Sequence, residues 1–144
     1  MDYMNAFYDI LDKTTEIALA TSVDNMPSVR IISICYDKNR PGVIYFQTRH
    51  DVESKKTSDF SQNNNVAFTT APIGLTIANV RSNDSIVVKS EYTFDELKSM
   101  FIAKVPEYEE QYNQYAHILT VYEIHIKKAI VVVDYGIKQG IVEF

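Results

Sequence analysis

Short runs of β-branched and aliphatic residues, separated by turns, constrain the fold of this chain more than any other sequence feature. The longest run, Pro27–Tyr36, is rich in Val and Ile, and the turn residues Lys38–Gly42 follow it. A second run, Val43–Thr48, comes directly after that turn. Two β-type runs joined by a short turn containing Pro and Gly are typical of a β-hairpin. We therefore predict a chain built mainly from antiparallel strands.

Other segments extend this pattern along the chain. Further strands are predicted at Ile17–Ser22, Val66–Thr70, Leu75–Val80, Ile86–Lys89, Ile118–Ile126 and Ala129–Tyr135, with turns at Asp24-Asn25 and at Arg81–Asp84. Helical spacing predicts helices at Asn5–Lys13, at Asp51–Asn63 with Asp51 as N-cap, from Thr93 to Pro106, and at Pro106–Tyr115. Thr93 and Glu96 form a capping-box pattern. Short strands with inserted helices predict an antiparallel barrel or sandwich of mainly β, α+β class.

Length and composition limit the classes of function. The 144 residues predict a single domain spanning 1–144, and the net charge of −5 argues against broad neutralisation of nucleic-acid phosphates. The single cysteine, Cys35, excludes an internal disulfide and a cysteine-based metal cluster. No apolar run approaches the roughly 20 residues of a membrane span, and no secretory signal is visible. We expect a cytoplasmic protein that binds neither membranes nor nucleic acid.

Side chains that could carry catalysis by themselves are sparse. His50, His117 and His125 are not at metal-ligand spacing from one another, so no metal site is predicted. No P-loop, nucleophile elbow or dinucleotide-binding glycine pattern is present among the four glycines. An enzyme of this kind would take its chemistry from a cofactor.

The informative polar feature is cationic. Arg30 lies in the middle of an apolar strand, where an unpaired guanidinium is costly. Lys55 and Lys56 stand near the start of a predicted helix, where free N–H groups favour an anion, and Thr48 and Ser54 add hydroxyl groups. Together these side chains could enclose one phosphate. Alternatively, Arg30 pairs with an acid of a neighbouring strand and the two lysines form a solvated helix face.

Several short motifs occur in a characteristic order: Ala18–Thr21, Pro27–Arg30, Phe46–Thr48, Ser54–Lys56, Asn63–Ala67 and Val121–Ile126. In this order and spacing they resemble the pyridoxamine 5'-phosphate oxidase-like family of FMN-binding split barrels, and the length suits a short member. The resemblance implies a split β-barrel of about six to eight strands with a few short helices. It also implies FMN as cofactor.

The resemblance assigns roles to particular residues. Arg30 and Lys56 would hold the FMN phosphate, with Ser54 and Lys55 beside them. Gln47 and Thr48 would hydrogen-bond the flavin ring or ribityl chain. The backbone beneath the ring would come from Arg30, Ile31, Ile32 and Ser33. Family members are homodimers with flavin at the interface, so Tyr108–Tyr115 would either contribute to the partner's site or pack the dimer.

Departures from the family pattern bear on activity. The true pyridoxine-phosphate oxidases carry a substrate-binding lysine where this chain has Cys35, and their C-terminal Arg-x-His motif and tryptophan have no counterpart. We therefore predict an FMN-dependent oxidoreductase for a small molecule, of flavin-reductase or nitro-group-reductase type. The alternatives are a non-enzymatic flavin or haem binding or sensor protein, with His50, His117 or His125 on the iron, and a deazaflavin-dependent reductase.

Overall fold

Seven antiparallel strands form one continuous sheet in the computed structural model, which describes every residue from Met1 to Phe144. The strands are β1 (Glu16–Val23), β2 (Met26–Cys35), β3 (Val43–Arg49), β4 (Asn65–Thr70), β5 (Asn79–Lys89), β6 (Leu119–Val133) and β7 (Lys138–Glu143). Their order is β3-β2-β1-β4-β5-β6-β7, and β3 pairs with β6 as well. That pairing closes β1 to β6 into a six-stranded barrel with β7 added outside, which confirms the predicted fold class.

Four α-helices accompany the barrel: α1 (Tyr3–Asp12), α2 (Lys55–Gln62), α3 (Phe94–Lys104) and α4 (Glu109–Tyr115). Helix α3 begins with the predicted capping box, in which the Thr93 hydroxyl accepts from the Glu96 N–H and the Glu96 carboxylate accepts from the Thr93 N–H. None of the helices is long and apolar enough to cross a lipid bilayer.

The β1–β2 connection shows how local chemistry sets the register. Asp24 and Asn25 both adopt positive φ, at 52° and 65°, and Val23 pairs with Met26 across them. Two central residues of positive φ are the signature of a type I′ turn, whose twist matches that of the flanking strands. The predicted turn at this dipeptide is confirmed.

The prediction of a turn at Arg81–Asp84 is wrong. Strand β5 runs through these residues, and its pairing with β6 shifts register between Arg81 and Asp84, as in a β-bulge. The bulge is stabilised by Ser82, whose buried hydroxyl donates to the Lys128 carbonyl at 2.6 Å and lies 2.8 Å from the Ser85 hydroxyl. A polar run was therefore mistaken for a surface turn.

Other boundaries also differ from the prediction. Leu75 and Thr76 lie in a 3₁₀ turn rather than in a strand. Helix α2 begins at Lys55 with Ser54 as its N-cap, so Asp51 is not the cap. The two predicted C-terminal strands are one strand, β6, and the final strand β7 was not predicted.

Two apolar clusters stabilise the barrel. The inner cluster fills the barrel and includes Leu19, Phe46 and Ile124, and helix α1 adds Phe7 and Leu11 to it. The outer cluster lies beneath α3 and α4 and comprises Cys35, Val43, Tyr45, Phe94, Leu97, Phe101, Tyr112 and Val121. Because successive side chains of a strand point to opposite faces, β3 contributes to both clusters and is buried on both sides.

Replacing Thr93 with alanine should destabilise the protein by about 1 kcal/mol, since it removes the N-cap acceptor of α3. The free energy of unfolding from urea titration would measure the effect. Ser99→Ala is the matched control, because Ser99 is an exposed residue of the same helix and should be neutral or slightly stabilising as alanine. Equal effects of the two substitutions would contradict the assigned role of the capping box.

Candidate functional site

Strands β2 and β3 pair at only two positions, Ile34 with Phe46 and Cys35 with Tyr45. Beyond these pairs the two strands part, β2 continuing alongside β1 and β3 alongside β6. We call the parted segments, Met26–Ser33 of β2 and Gln47–Arg49 of β3, the seam. A strand edge without a partner presents unpaired N–H and C=O groups, so the seam leaves backbone groups of the barrel wall free to bind a ligand.

Arg30 extends from the seam toward helix α2. Its Nη1 donates to the Thr21 hydroxyl at 2.8 Å and to the Leu19 carbonyl at 3.3 Å, and its Nη2 lies 3.6 Å from the Asp59 carboxylate. Arg30 thus has an acidic partner, which comes from α2 rather than from a neighbouring strand.

Asp59 connects the cationic residues of the site. The Thr21 hydroxyl donates to Asp59 Oδ2 at 2.6 Å, and Lys55 Nζ lies 3.0 Å from Oδ1, one helical turn away. The hydrogen bond from Thr21 and then that from Lys55 hold the pKa of the Asp59 carboxyl below its usual value despite burial. The charged carboxylate therefore fixes Arg30 and Lys55 on one side of α2.

Lys56 is the cation without a partner. It is half-buried, yet its ammonium group has no hydrogen bond and no carboxylate within ion-pair distance. Burial lowers the pKa of Lys56, and the nearby Arg30 guanidinium lowers it further. Three cations stand against one carboxylate here, so the site has an excess of positive charge.

The two hydroxyl groups of the predicted site have different surroundings. Ser54 caps α2, accepting from the Thr57 N–H at 3.3 Å. Thr48 is buried and stands opposite Thr120 in the β3–β6 ladder. Helix α2 starts with its free N–H groups next to Lys55 and Lys56, an arrangement that favours an anion.

The residues predicted to face the flavin ring fall on different surfaces. Ile32 is buried in the inner cluster, whereas Ile31 points outward with 61% of its surface exposed. Ser33 and Gln47 both face the hydroxyl of Tyr112. Burial raises the pKa of Tyr112, and the contacts with Gln47 and Ser33 oppose that rise.

Helix α4 therefore packs against its own barrel through Tyr112. The predicted contribution of Tyr108–Tyr115 to a partner's site stays a prediction for Tyr108 and Tyr115, which are each 44% exposed. Beside Tyr112 lies a cleft of about 520 Å³, which we call the α4 cleft. It is lined by Gln47, Arg49, Gln111, Tyr112, Tyr115, Ile118 and Leu119.

A polar network that the sequence did not suggest lies outside the seam. The buried Glu123 carboxylate accepts two hydrogen bonds from Arg40, at 2.9 and 3.2 Å, and one from the Ser90 hydroxyl at 2.7 Å. His125 Nε2 lies 2.7 Å from Oε1 of the same Glu123 carboxylate. Burial alone would raise the pKa of Glu123, but these hydrogen bonds outweigh it and lower the pKa. The network borders a cleft of about 640 Å³.

The three histidines stay apart, as their sequence positions suggested. His50 Nδ1 lies 2.9 Å from the Thr120 hydroxyl, and His125 is held by Glu123. His117 makes no hydrogen bond and borders a third cleft, of about 380 Å³, together with Phe94, Leu119 and Val121.

A closed antiparallel barrel with one parted strand pair is a split barrel. The sequence model of pyridoxamine 5'-phosphate oxidase-like proteins matches residues 10–140. The chain belongs to this family, which confirms the resemblance of its motifs.

Solved structures of similar fold carry diverse functions. A haem-binding protein from Mycobacterium smegmatis superposes with a TM-score of 0.78 at 11% identity, over 99% of this chain and 58% of that one. A FAD-binding protein from Mesorhizobium loti superposes with a TM-score of 0.63 at 14% identity, and the match covers 88% of this chain and 89% of that one. A protein assigned to 5-nitroimidazole antibiotic resistance in Bacteroides thetaiotaomicron superposes with a TM-score of 0.70 at 11% identity, and the match covers 90% of this chain and 82% of that one.

These likenesses establish the fold, and the chain spans little more than half the length of the haem-binding relative. A comparison with curated proteins finds no match.

Proposed function

We propose that this chain binds FMN in the seam and uses it for oxidation and reduction of a small molecule, as a homodimer. The observation that carries the proposal is Lys56, a half-buried ammonium group beside Arg30 with no anionic partner of its own. A phosphate group would supply the missing negative charge, and hydrogen bonds between charged groups are the strong ones. The Mesorhizobium loti relative, a FAD-binding protein, adds support for a flavin.

The residues of this chain would divide the binding between them. Lys56 and Arg30 would contact the phosphate, while Asp59 and Thr21 hold the guanidinium in place. The open edge of β2 at Arg30–Ser33 would face the ring with backbone groups, and Gln47 and Thr48 would contact the ring or ribityl chain. Lys55 is turned toward Asp59, so its contribution would be electrostatic.

FMN, when bound, would supply the two-electron chemistry, which this chain's side chains do not. The protein would position the cofactor, exclude water with α4, and keep positive charge near the phosphate. No residue is assigned as a general acid. Cys35 adds no charge to such a site, because it is buried beneath α3 and burial raises the pKa of its thiol to about 12, which keeps it neutral.

The outer face of the barrel next to the seam suits a second copy of the chain. Val29 and Ile31 are 70% and 61% exposed there. On the neighbouring strand β1, Val29 pairs with Ala20 and Ile31 pairs with Ala18. The small alanine side chains leave this part of the surface flat. An exposed apolar strip of this kind marks an interaction surface. A partner covering it would reach the seam, so each flavin would contact both chains.

The test is FMN titration of the purified protein, followed by visible absorbance and flavin fluorescence. We expect saturable binding at one FMN per chain, with riboflavin at least about tenfold weaker because it lacks the phosphate. Equal affinity for FMN and riboflavin would contradict the proposed phosphate site. If the protein bound neither flavin, the proposal as a whole would be overturned. Turnover with NADH or NADPH and panels of quinones and nitroaromatics would then test catalysis.

Haem binding is the second candidate, favoured by His117. Its imidazole is unpaired and borders a partly apolar cleft, and a haem-binding protein is among the structural relatives. Haemin titration should then shift and sharpen the Soret band relative to free haemin, a change that His117→Ala abolishes and His50→Ala leaves intact. Unchanged spectra with haemin would eliminate this candidate.

A further inference from the structure

The α4 cleft begins where the seam begins. Gln47, which lines it, is the first residue of β3 beyond the last pair with β2. If the flavin ring lies along the seam, the cleft is the adjacent space in which a second molecule could meet it. Its volume of about 520 Å³ is within the range of small-molecule sites and suits a ligand of one or two rings.

The walls of the cleft are apolar and aromatic, with neutral polar groups at the rim. Tyr112, Tyr115, Ile118 and Leu119 form the apolar part, and tyrosine faces favour stacking with planar rings. Gln47 and Gln111 add amide groups, which both donate and accept hydrogen bonds without carrying charge.

The single cation of the cleft is already neutralised. Arg49 binds Asp51 through two parallel hydrogen bonds, Nε to Oδ1 at 2.9 Å and Nη2 to Oδ2 at 2.7 Å. Such a bidentate pair occupies the guanidinium face that a substrate carboxylate or phosphate would need. Helix α4 begins with Glu109 and Glu110, neither in an ion pair, just before Gln111. The rim is therefore neutral to negative.

We infer that the α4 cleft is the substrate site and that it selects uncharged planar aromatic molecules over phosphorylated or carboxylated ones. An anionic ligand would lose hydration there without gaining a cationic partner, whereas a neutral ring keeps its stacking contacts. The assignment as substrate site rests on the proposed function, but the selectivity of the cleft for neutral rings does not.

The experiment compares 4-nitrobenzamide with 4-nitrobenzoate, which differ mainly in charge. Binding to the full chain is measured by calorimetry, and the site is located by amide shifts in NMR spectra, both with and without FMN. We expect the amide to bind at least about tenfold more tightly, with shifts at Gln47, Tyr112 and Leu119. The inference would be overturned if the two probes bound with comparable affinity or if the shifts were confined to another cleft. It would also be overturned if neither probe bound, with or without FMN.

Charge variants make the test sharper. Asp51→Asn frees Arg49 and should raise 4-nitrobenzoate affinity about two- to fivefold while leaving 4-nitrobenzamide unchanged, because Asp51 does not line the cleft. Gln111→Lys adds a cation from a different element and should raise the ratio of 4-nitrobenzoate to 4-nitrobenzamide affinity by a similar factor. Glu143→Gln is the control, since it removes an equal charge from an exposed pair with Lys128, which lies well along β6 from the cleft residue Leu119. A response of the control equal to that of the two variants would contradict the local mechanism.

FMN binding, followed separately by absorbance, distinguishes the two proposals. Selective probe binding without FMN binding would refute the proposed function and support the cleft's selectivity. FMN binding without selective probe binding would support FMN binding in the proposed function and refute the cleft's selectivity.

Discussion

Lys56→Ala should weaken FMN binding by about 1.5–3 kcal/mol, a loss of roughly 10- to 150-fold in affinity. The ammonium group is half-buried and has no partner within the chain, so its interaction with the phosphate would not be offset by breaking an internal ion pair. Fluorescence titration of FMN against wild type and variant measures the difference. Because the substitution breaks no internal contact of the ammonium group, thermal stability without flavin should change little.

The neighbouring lysine is the matched control for this result. Lys55 is one residue away on the same helix, but it is exposed and bound to Asp59, so Lys55→Ala should reduce affinity much less. Arg30→Ala should weaken FMN as strongly as Lys56→Ala, and should also lower stability because Asp59 loses a partner. If Lys55→Ala and Lys56→Ala behave alike, the two lysines form only a solvated cationic face and the phosphate site is misplaced.

Glu123→Gln should destabilise the folded protein by about 2–3 kcal/mol, because it removes one partner of a largely buried ion pair. This is less than the roughly 3–5 kcal/mol for a fully buried pair, because Arg40 keeps a third of its side chain in water. The substitution removes the charge that Arg40, Ser90 and His125 all contact. Urea unfolding at neutral pH measures the loss. Glu143→Gln, which alters an exposed pair with Lys128, should change stability by less than about 0.5 kcal/mol.

The same network predicts how stability depends on pH. The pKa of Glu123 is lower in the folded protein than its ordinary value of about 4.3, so its contribution is complete above that value. It is lost as the pH falls through the lowered folded pKa. The stability difference between wild type and Glu123→Gln should therefore begin to shrink as the pH falls below about 4.3, and a difference that stays constant on further acidification would contradict the linkage.

Local chemistry explains why much of the fold could be predicted. Val- and Ile-rich runs, the dipeptide Asp24-Asn25 and the Thr93 capping box each act within a few residues, and each had the predicted effect. The errors arose where tertiary contacts override local preference. Ser82 looks like a turn residue, yet a carbonyl of β6 satisfies its hydroxyl inside the sheet. Strand β7 contains polar residues and a glycine, and pairing with β6 alone defines it.

The site was less accessible to sequence reasoning because its contacts span the chain. The pair of Arg40 with Glu123 joins residues 83 positions apart, and no periodic pattern links them. Asp59 has no distinguishing sequence neighbours, although in the structure it connects Arg30, Thr21 and Lys55. The placement of Tyr112 over Ser33 and Gln47 depends on how α4 folds back on the barrel, which the Tyr-rich composition did not reveal.

The parting of β2 and β3 has a thermodynamic consequence for whatever binds there. Each strand is held along its other edge, β2 by β1 and β3 by β6, so the entropy of ordering this backbone is lost once, when the barrel folds. A ligand entering the gap therefore meets hydrogen-bonding groups that are already fixed, and little of its affinity is spent on immobilising the chain. The barrel can release and rebind such a ligand without giving up any of its strand pairing.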